Sequence, residues 1–225
     1  MKRKHSLGTR IWHWVNALSL IVLFMSGLTI SNAHPHLYWG QWGFMPGQQW
    51  TDVVSFPDWI IIPGYYDLAA ARDWHVLFSA VFVVALVLFL ISALITGHLR
   101  RDFAFSRREG RWSAIREDIR AHLRLDFEHH QGKFNFLQRL AYAAVLFILL
   151  PLMVLTGLAI SPGMDAAWPF LIDVLGGRQS ARSIHFIVAW ALAAFLVLHV
   201  VLVLLNKPLR NLRDMITGGR IDEAA

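Results

Sequence analysis

The chain has 225 residues, of which 56% are hydrophobic and 16% charged, with a mean hydropathy of +0.47. A soluble domain of this length rarely has such a composition without long polar stretches. The sequence has no cysteine, which excludes a covalently attached c-type haem, iron–sulfur clusters, cysteine zinc sites and disulfides.

Apolar residues are concentrated in four segments, at about 11–31, 75–97, 137–160 and 183–205. Each has the length of roughly 20 residues that an α-helix needs to cross about 30 Å of hydrocarbon. The segment Val76–Ile95 has no charged residue, and Ile184–Leu205 has only His185 and His199 as titratable groups. The predicted fold is therefore all-α, an integral membrane four-helix bundle that forms a single domain over residues 1–225.

The first segment has the basic start of a secretory signal, and Ser31, Asn32 and Ala33 near its end are similar to a cleavage site. The apolar core of a signal has about 7–15 residues, and this segment is longer. We therefore expect it to be retained as the first helix.

Lysine and arginine are distributed unevenly among the segments between the helices. Of the 21 basic residues, 18 lie in 1–10, 98–139 and 206–225, and the remaining three are Arg72, Arg178 and Arg182. Cytoplasmic segments carry the excess of basic residues, so both termini and the basic inner loop 98–136 are predicted to be cytoplasmic. Nucleic-acid binding is the alternative for a basic loop, but the membrane topology accounts for all 18 residues with one rule.

The outer loop 32–73 contains four prolines, which argue against one long helix. Tryptophan and tyrosine favour the membrane–water interface, so this loop is predicted to lie against the outer surface of the membrane. In the inner loop, the apolar residues of 112–127 share one helical face, which is predicted to rest on the inner leaflet. The aromatic residues of the outer loop are Tyr38, Trp39, Trp42, Phe44, Trp50, Phe56, Trp59, Tyr65 and Tyr66.

A short sequence recurs at the ends of two predicted helices. Ser26-Gly27-Leu28 closes the first helix, and Thr156-Gly157-Leu158 closes the third. Glycine in a membrane helix permits the close approach of a partner helix or of a flat ligand. Both interpretations are open on the sequence alone.

Four of the 11 histidines lie inside the predicted helices, where ionisable residues are costly and usually functional. The predicted helix directions place His13 and His199 near the inner surface of the membrane, and His75 and His185 near the outer surface. Depth therefore groups the four histidines into two pairs, each drawn from two different helices.

Two imidazoles on opposite faces of a porphyrin make a bis-histidine haem, which suits electron transfer because no iron position is open for substrate. His185 and His199 are 14 residues apart, which is about 21 Å along a helix and close to four full turns. They therefore share one side of the helix, and the sequence predicts one haem near each membrane surface.

Arg10, Arg72 and Arg182 each precede a histidine by three residues, on its water side. Residues three apart share a helix face, so each arginine is predicted to bind a haem propionate through a charge-assisted bond. The alternative is that they mark the helix ends. His98, at the inner end of the second helix, is interpreted as a marker of the membrane edge, with a proton shuttle near a quinone as the alternative.

These residues together resemble a known family, the dihaem cytochrome b subunits of the bacterial cytochrome b561-like superfamily. Its members include the gamma subunit of formate dehydrogenase and the cytochrome b subunits of nickel–iron hydrogenase and thiosulfate reductase. The resemblance covers nearly the whole chain. It is carried by His13-Trp14 with Asn16-Ala17, by Arg72-x-x-His75, by Arg182-x-x-His185 with His199, and by Lys133-Phe134-Asn135 with Gln138-Arg139.

The resemblance implies an electron-transfer subunit of a respiratory complex in the bacterial inner membrane, not its catalytic subunit. It implies two haems b, with His13 and His199 as the iron ligands of the inner haem and His75 and His185 as those of the outer haem. A quinone or quinol is expected at the inner haem. A periplasm-facing redox subunit, such as a hydrogenase or a molybdopterin enzyme, is expected at the outer haem. The outer loop is longer than in the formate dehydrogenase subunits, which leaves the identity of the partner open.

Three other functions are consistent with parts of the sequence. A stand-alone membrane cytochrome b would pass electrons from quinol to a small oxidant such as superoxide, but an aromatic outer loop is more typical of a docking surface. A proton or metal transporter usually carries intramembrane carboxylates, and these helices have essentially none. A plain membrane anchor leaves the four histidines without a purpose.

Overall fold

A computed structural model of the chain describes residues 5–43, 45–97 and 136–219, with the isolated positions 112, 116, 119 and 120. Within these residues, four helices are long and apolar enough to cross a membrane, which confirms the predicted all-α bundle.

The first span is α1 (Leu7–Ala33) and the second is α2 (Leu68–Ile95). The third span consists of α3 (Phe136–Ala144), a π-helical turn (Val145–Leu149) and α4 (Leu150–Ile160). Two short helices, α5 (Pro162–Ala167) and α6 (Phe170–Val174), lead to the fourth span, α7 (Arg178–Leu205), and α8 (Pro208–Thr217) follows.

The third span is irregular next to a proline. Pro151 cannot donate the backbone hydrogen bond that a regular α-helix makes to the residue four positions back. The turn before it, Val145–Leu149, is a π-helix, which is a common way for a helix to absorb such an interruption. The span nevertheless continues from Leu137 to Ile160.

The helices begin earlier than their apolar stretches. α2 starts at Leu68 because the Asp67 carboxylate accepts a hydrogen bond from the backbone N–H of Ala70 at 3.0 Å, a typical N-cap. α7 starts at Arg178 and α1 at Leu7. Hydropathy detects only the part of a helix inside the hydrocarbon, so the first turns in the polar region were missed. As a result, Arg72 and Arg182 lie within helices and not at their ends.

The spans pack as two hairpins, α1 with α2 and α4 with α7. Buried apolar side chains at mid-bundle join the second, third and fourth spans. Other apolar side chains, such as Leu88 and Val197, are more than 60% exposed on the sides of the bundle, where a membrane covers them with lipid. The residues of the mid-bundle core are Phe82, Leu86, Leu146, Leu150, Val188 and Leu192.

One end of the bundle, here called the loop end, carries the connection between α1 and α2. The described residues of this connection form no long helix, as its prolines predict. Two short antiparallel strands, β1 (His36–Leu37) and β2 (Thr51–Asp52), pair with each other, and a 3-10 turn covers Asp58–Ile60.

Side chains of the spans hold this connection in place. The Thr29 hydroxyl donates to the carbonyl of Ile62 at 2.7 Å, and the Ser183 hydroxyl donates to the carbonyl of Tyr38 at 2.6 Å. Gly177 has a φ of +110° and touches the backbone of Gly40 so closely that no Cβ fits between them. The loop is therefore packed against the start of α7.

The opposite end, here called the tail end, carries the start of α1 together with α8. The Arg10 guanidinium donates to the carbonyl of Ile216, and the Trp14 indole N–H donates to the carbonyl of Met215 at 3.3 Å. These two bonds attach the C-terminal turn of α8 to the first span. The sequence did not predict α8, because its apolar residues are too few and too dispersed for a span.

Candidate functional site

The histidines that depth grouped together meet in space. At the loop end, the ring centroids of His75 and His185 are 6.3 Å apart, with an angle of 59° between the ring planes. At the tail end, the centroids of His13 and His199 are also 6.3 Å apart, with an angle of 55°. His185 and His199 both belong to α7, so the fourth span contributes one ligand candidate to each pair.

The spacing of each pair fits a shared metal ion. An imidazole nitrogen binds a transition metal at about 2.0–2.1 Å. With roughly 1 Å from each nitrogen to its ring centre, two imidazoles on opposite sides of one metal have centroids about 6 Å apart. Among the described residues, no group of three or more histidine, cysteine, aspartate or glutamate side chains is placed to hold a metal. Two imidazoles without further protein ligands are the donor set that a bis-histidine haem would need, since the porphyrin would supply the other nitrogens.

Each loop-end histidine has a hydroxyl group beside it. Ser26 Oγ lies 3.0 Å from His75 Nδ1, and Thr156 Oγ1 lies 2.9 Å from His185 Nδ1. Metal-bound histidines in proteins usually have such a hydrogen-bond partner on the second ring nitrogen. Ser26 and Thr156 belong to the recurring motif of the sequence, which did not predict this contact.

The glycines of the same motif face the histidine rings. A Cβ on Gly27 would lie 3.6 Å from His75 Cε1, and a Cβ on Gly157 would lie 3.5 Å from His185 Cε1. The recurring motif therefore brings a helix backbone against a ring edge in both halves of the bundle. This favours contact with the site over helix packing alone, the two interpretations that the sequence left open.

The tail-end pair has a different environment. His13 Nδ1 is buried and has no hydrogen-bond partner among the described residues, and the same is true of Trp12 Nε1, Asn16 Oδ1, Arg10 Nε and Ser19 Oγ. All five atoms belong to the first half of α1. Buried polar groups are costly when unpaired, so this face of α1 is suited to a polar ligand. The rings of Phe195 and His199 are stacked, with centroids 6.1 Å apart.

The three arginines contact protein groups at the ends of the bundle. Arg182 donates to the carbonyls of His34 and His36 at 2.7 and 2.6 Å, and Arg10 donates to the carbonyl of Ile216. Arg72 lies 3.4 Å from His34 Nε2. These contacts show a role in holding the loop and α8. Binding of haem propionates by the same arginines stays a prediction.

Burial, with the nearby Arg182 and Arg72, lowers the pKa of His34. His34 is therefore neutral at pH 7 and accepts the hydrogen bond from the Arg72 guanidinium. On the neighbouring strand pair, His36 Nδ1 and Asp52 Oδ1 are 2.6 Å apart, and this hydrogen bond lowers the pKa of Asp52.

Several sequence predictions lie outside the described residues. They are the role of His98, the surface helix at 112–127 apart from its isolated positions, and the Lys133-Phe134-Asn135 element before the third span.

Comparison with known proteins shows the family that the chain is similar to. Residues 4–218 match the sequence profile of a family described as prokaryotic cytochrome b561. The matched range includes all four histidines and most of the chain. The resemblance to the cytochrome b subunits of membrane oxidoreductases is therefore confirmed.

Two relatives extend the comparison. The chain is 31% identical to a putative protein-methionine-sulfoxide reductase subunit, YedZ1, of Azospira oryzae over 218 residues, which are 95% of this chain and 96% of that protein. It is 24% identical to a probable Ni/Fe-hydrogenase B-type cytochrome subunit of Cupriavidus necator over 204 residues, 85% of this chain and 74% of that protein. No solved structure matches the chain.

Proposed function

The chain belongs to the prokaryotic cytochrome b561 family, and on this premise we propose that it carries electrons between the quinone pool and a redox enzyme through two haems b. Family membership makes it a multi-pass cytochrome b of the bacterial inner membrane that binds haem b and transfers electrons. The number of haems, their ligands, the quinone and the side on which the partner docks form the proposal.

The observation that carries the proposal is the presence of two histidine pairs with the same spacing, each with ring centroids 6.3 Å apart. His75 and His185 would hold one haem, and His13 and His199 the other. When bound, haem b supplies a one-electron Fe(III)/Fe(II) couple at each pair. Because His185 and His199 are about 21 Å apart along one helix, the two couples would cover most of the membrane thickness.

A quinone site at the tail end is supported by the polar face of α1. Trp12 Nε1 is a buried donor and Asn16 Oδ1 a buried acceptor, both without a partner among the described residues. A quinone carbonyl accepts a hydrogen bond, and a quinol hydroxyl donates one, so the two groups complement both redox forms of the ligand. They lie on the same turns of α1 as His13.

The orientation is supported by charge. Of the 21 basic residues, 18 lie in the segments predicted to be cytoplasmic, and the positive-inside rule then places the tail end in the cytoplasm and the loop end in the periplasm. The quinone would exchange protons with the cytoplasmic side. The partner would approach the loop end.

A docking partner is supported by the structure of the loop end. Trp39 stacks on Trp50 with centroids 5.6 Å apart, and the Trp50 indole N–H donates to the Ser183 hydroxyl at 2.9 Å. Ser183 precedes His185 by two residues, so this half-exposed pair of indoles covers the start of the helix that carries a loop-end ligand. The two relatives are named as subunits of redox enzymes, which agrees with a partner of that class.

The first test is the haem content of the purified protein. A pyridine haemochrome assay with a reduced-minus-oxidised spectrum should give two haems b per chain, and the absence of haem would overturn the proposal. His199→Leu should leave one haem and abolish reduction by quinol, while His5→Gln, a histidine outside the pairs, should change neither. Loss of both haems from His199→Leu, with the fold retained, would contradict the pairing.

A second test separates a complex subunit from a stand-alone oxidase. Mild detergent extraction from the native host should copurify the chain with a redox enzyme exposed on the periplasmic side. If the isolated chain instead oxidised quinol with superoxide at a high rate and no enzyme copurified, the stand-alone alternative would be correct.

A further inference from the structure

The hydrogen bond between Ser26 and His75 has a defined direction. The Ser26 hydroxyl donates its single hydrogen to a backbone carbonyl of its own helix, at 2.7 Å from the oxygen of Val22. It therefore has only its oxygen lone pairs to offer to His75 Nδ1, 3.0 Å away. His75 also makes a hydrogen bond to the backbone of Leu23, where the carbonyl oxygen can only accept. Together the two contacts make the ring nitrogen the donor, so His75 carries its proton on Nδ1.

The same arrangement exists at the other loop-end histidine. The Thr156 hydroxyl donates to the carbonyl of Leu152 at 2.7 Å and lies 2.9 Å from His185 Nδ1. His185 also makes a hydrogen bond to the backbone of Met153, where the carbonyl oxygen can only accept. Ser26 and Thr156 are both fully buried, with a relative exposure of 0%, so water does not compete for these bonds. His185 therefore also carries its proton on Nδ1.

We propose that Ser26 and Thr156 are positioning residues that fix the tautomer of the loop-end histidines together with the backbone carbonyls of Leu23 and Met153, and that the two hydroxyls set the redox potential of the haem held there. This inference rests on the proposed function. With the proton on Nδ1, the lone pair of each ring is on Nε2 and is available to a metal between the two rings. The hydroxyl oxygens also fix the rotation of each ring about its Cβ–Cγ bond.

The direction of these hydrogen bonds, from the histidine to the hydroxyl, determines how they change the redox potential of the loop-end haem. An imidazole that donates from Nδ1 becomes a more basic ligand through Nε2, and a more basic ligand stabilises ferric iron over ferrous iron. The two hydroxyls therefore lower the potential of the loop-end haem. His13 Nδ1 has no such acceptor among the described residues, so the two pairs are electronically distinct.

A serine or threonine hydroxyl in a membrane helix often bonds to its own backbone, whatever lies nearby. This general tendency explains the hydrogen bonds from Ser26 to Val22 and from Thr156 to Leu152. It does not explain why both hydroxyls also meet the Nδ1 of a paired histidine, at the corresponding position of each half of the bundle.

The test is redox potentiometry of the haem-loaded protein, with wild type compared with Ser26→Ala, Thr156→Val and the double variant. One of the two potential components should move upward in each single variant and further in the double variant, while the other component stays fixed. A tenfold change in the one-electron equilibrium constant corresponds to about 59 mV. The electron paramagnetic resonance g values of one low-spin ferric haem should shift with it.

The controls separate the hydroxyl from general packing. Ser26→Thr and Thr156→Ser keep a hydroxyl and should retain the wild-type potentials. Thr96→Val removes a hydroxyl that donates to its own helix, at 2.8 Å from the carbonyl of Ser92, and should leave both potentials unchanged.

Each outcome has a defined meaning. Selective loss of one haem from Ser26→Ala, with the other potential unchanged, would also support positioning. Unchanged potentials in the double variant, or equal loss of both haems, would overturn the inference. A wild-type protein without haem would instead overturn the proposed function, so the two failures are distinguishable.

Discussion

At Gly27 and Gly157 the helix backbone contacts the ring of a loop-end histidine with no side chain between them. His75 Cε1 would lie 3.6 Å from a Cβ on Gly27, an ordinary van der Waals distance. A single methyl group therefore fits, but the additional methyl groups of a branched side chain would extend towards the ring. The limit on side-chain size at this position comes from the histidine and not from the helix.

Two substitutions of Gly27 should therefore have different effects. Gly27→Ala should retain two haems per chain, whereas Gly27→Val should displace the His75 ring and leave about one. Gly8→Val is the matched control in the same helix, because a Cβ there meets no atom within 4 Å. Haem is counted by the pyridine haemochrome assay. Two haems in Gly27→Val would show that the histidine has room to move.

His34 predicts a pH dependence of the loop end. Its pKa is lowered from 6.5 by burial and by Arg182 and Arg72, so below about pH 6.5 the open loop binds more protons than the closed loop. The stability of the closed loop is full above that pH and falls as the pH decreases towards the lowered pKa. The amides of Trp50 and Val53 bond to the carbonyls of Leu37 and Pro35. Their protection factors, which are exchange rates corrected for the intrinsic effect of pH, should therefore decrease as the pH is lowered from 7.5 to 5.

Two variants assign this effect to one side chain. His34→Gln should remove the pH dependence. His36→Gln should keep it, because Arg182 binds the backbone carbonyl of residue 36, which the substitution retains. Asp52 has a pKa lowered from 3.8, so its contribution is lost only at more acidic pH. An unchanged pH profile in His34→Gln would contradict the assignment.

Individual residues were predictable to different degrees. The four histidines stand out because an ionisable group inside a membrane helix is costly, and the direction of each helix gives its depth. The contacts of Ser26 and Thr156 were not predictable, since they depend on the rotation of one helix against another. For Arg182, sequence spacing suggested a ligand contact, whereas the loop carbonyls of His34 and His36 lie within its reach.

At the scale of elements, α8 is attached to α1 by two side chains next to the tail-end histidine. Trp14→Phe removes the indole donor to Met215, which should weaken the attachment by about 1 kcal/mol, or about fivefold in the detached population. Trypsin should then cut more rapidly at Arg210 and Arg213 in α8.

Trp74→Phe provides the matched control for that experiment. Trp74 and Trp14 have the same exposure, 42%, and each is adjacent in sequence to a paired histidine. Trp74 is in the second span, so its replacement should leave cleavage of α8 unchanged. Equal acceleration in both variants would indicate a general loss of stability.

The sequence predicted the spans but not the elements outside the hydrocarbon. Hydropathy reports the length of chain in lipid, and it located all four spans. α8 and the two short helices before α7 depend on contacts with the rest of the protein, such as the bond from Arg10 to Ile216. The π turn before Pro151 was likewise beyond a pattern that treats every span as a regular helix.

At the scale of the whole molecule, the two hairpins repeat one design at the loop end and differ at the tail end. Ser26 with His75 and Thr156 with His185 are equivalent contacts. Both histidine pairs join the two hairpins, and the tail-end pair does so through His13 of the first span and His199 of the last. The loop-end pair therefore has a hydroxyl on each ligand, and the tail-end pair borders the polar face of α1.

This difference between the ends makes the orientation of the bundle decisive for function, and the absence of cysteine allows a direct test. Trp42→Cys places one thiol at the loop end, where the side chain is 77% exposed, and Leu209→Cys places one in α8, where it is 83% exposed. In intact spheroplasts, a membrane-impermeant maleimide should label the first variant and spare the second, and permeabilised cells should label both. Because 18 of 21 basic residues lie at the tail end by prediction, labelling in the reverse order would break the positive-inside rule. It would also move the quinone to the periplasmic side and the docking partner to the cytoplasm.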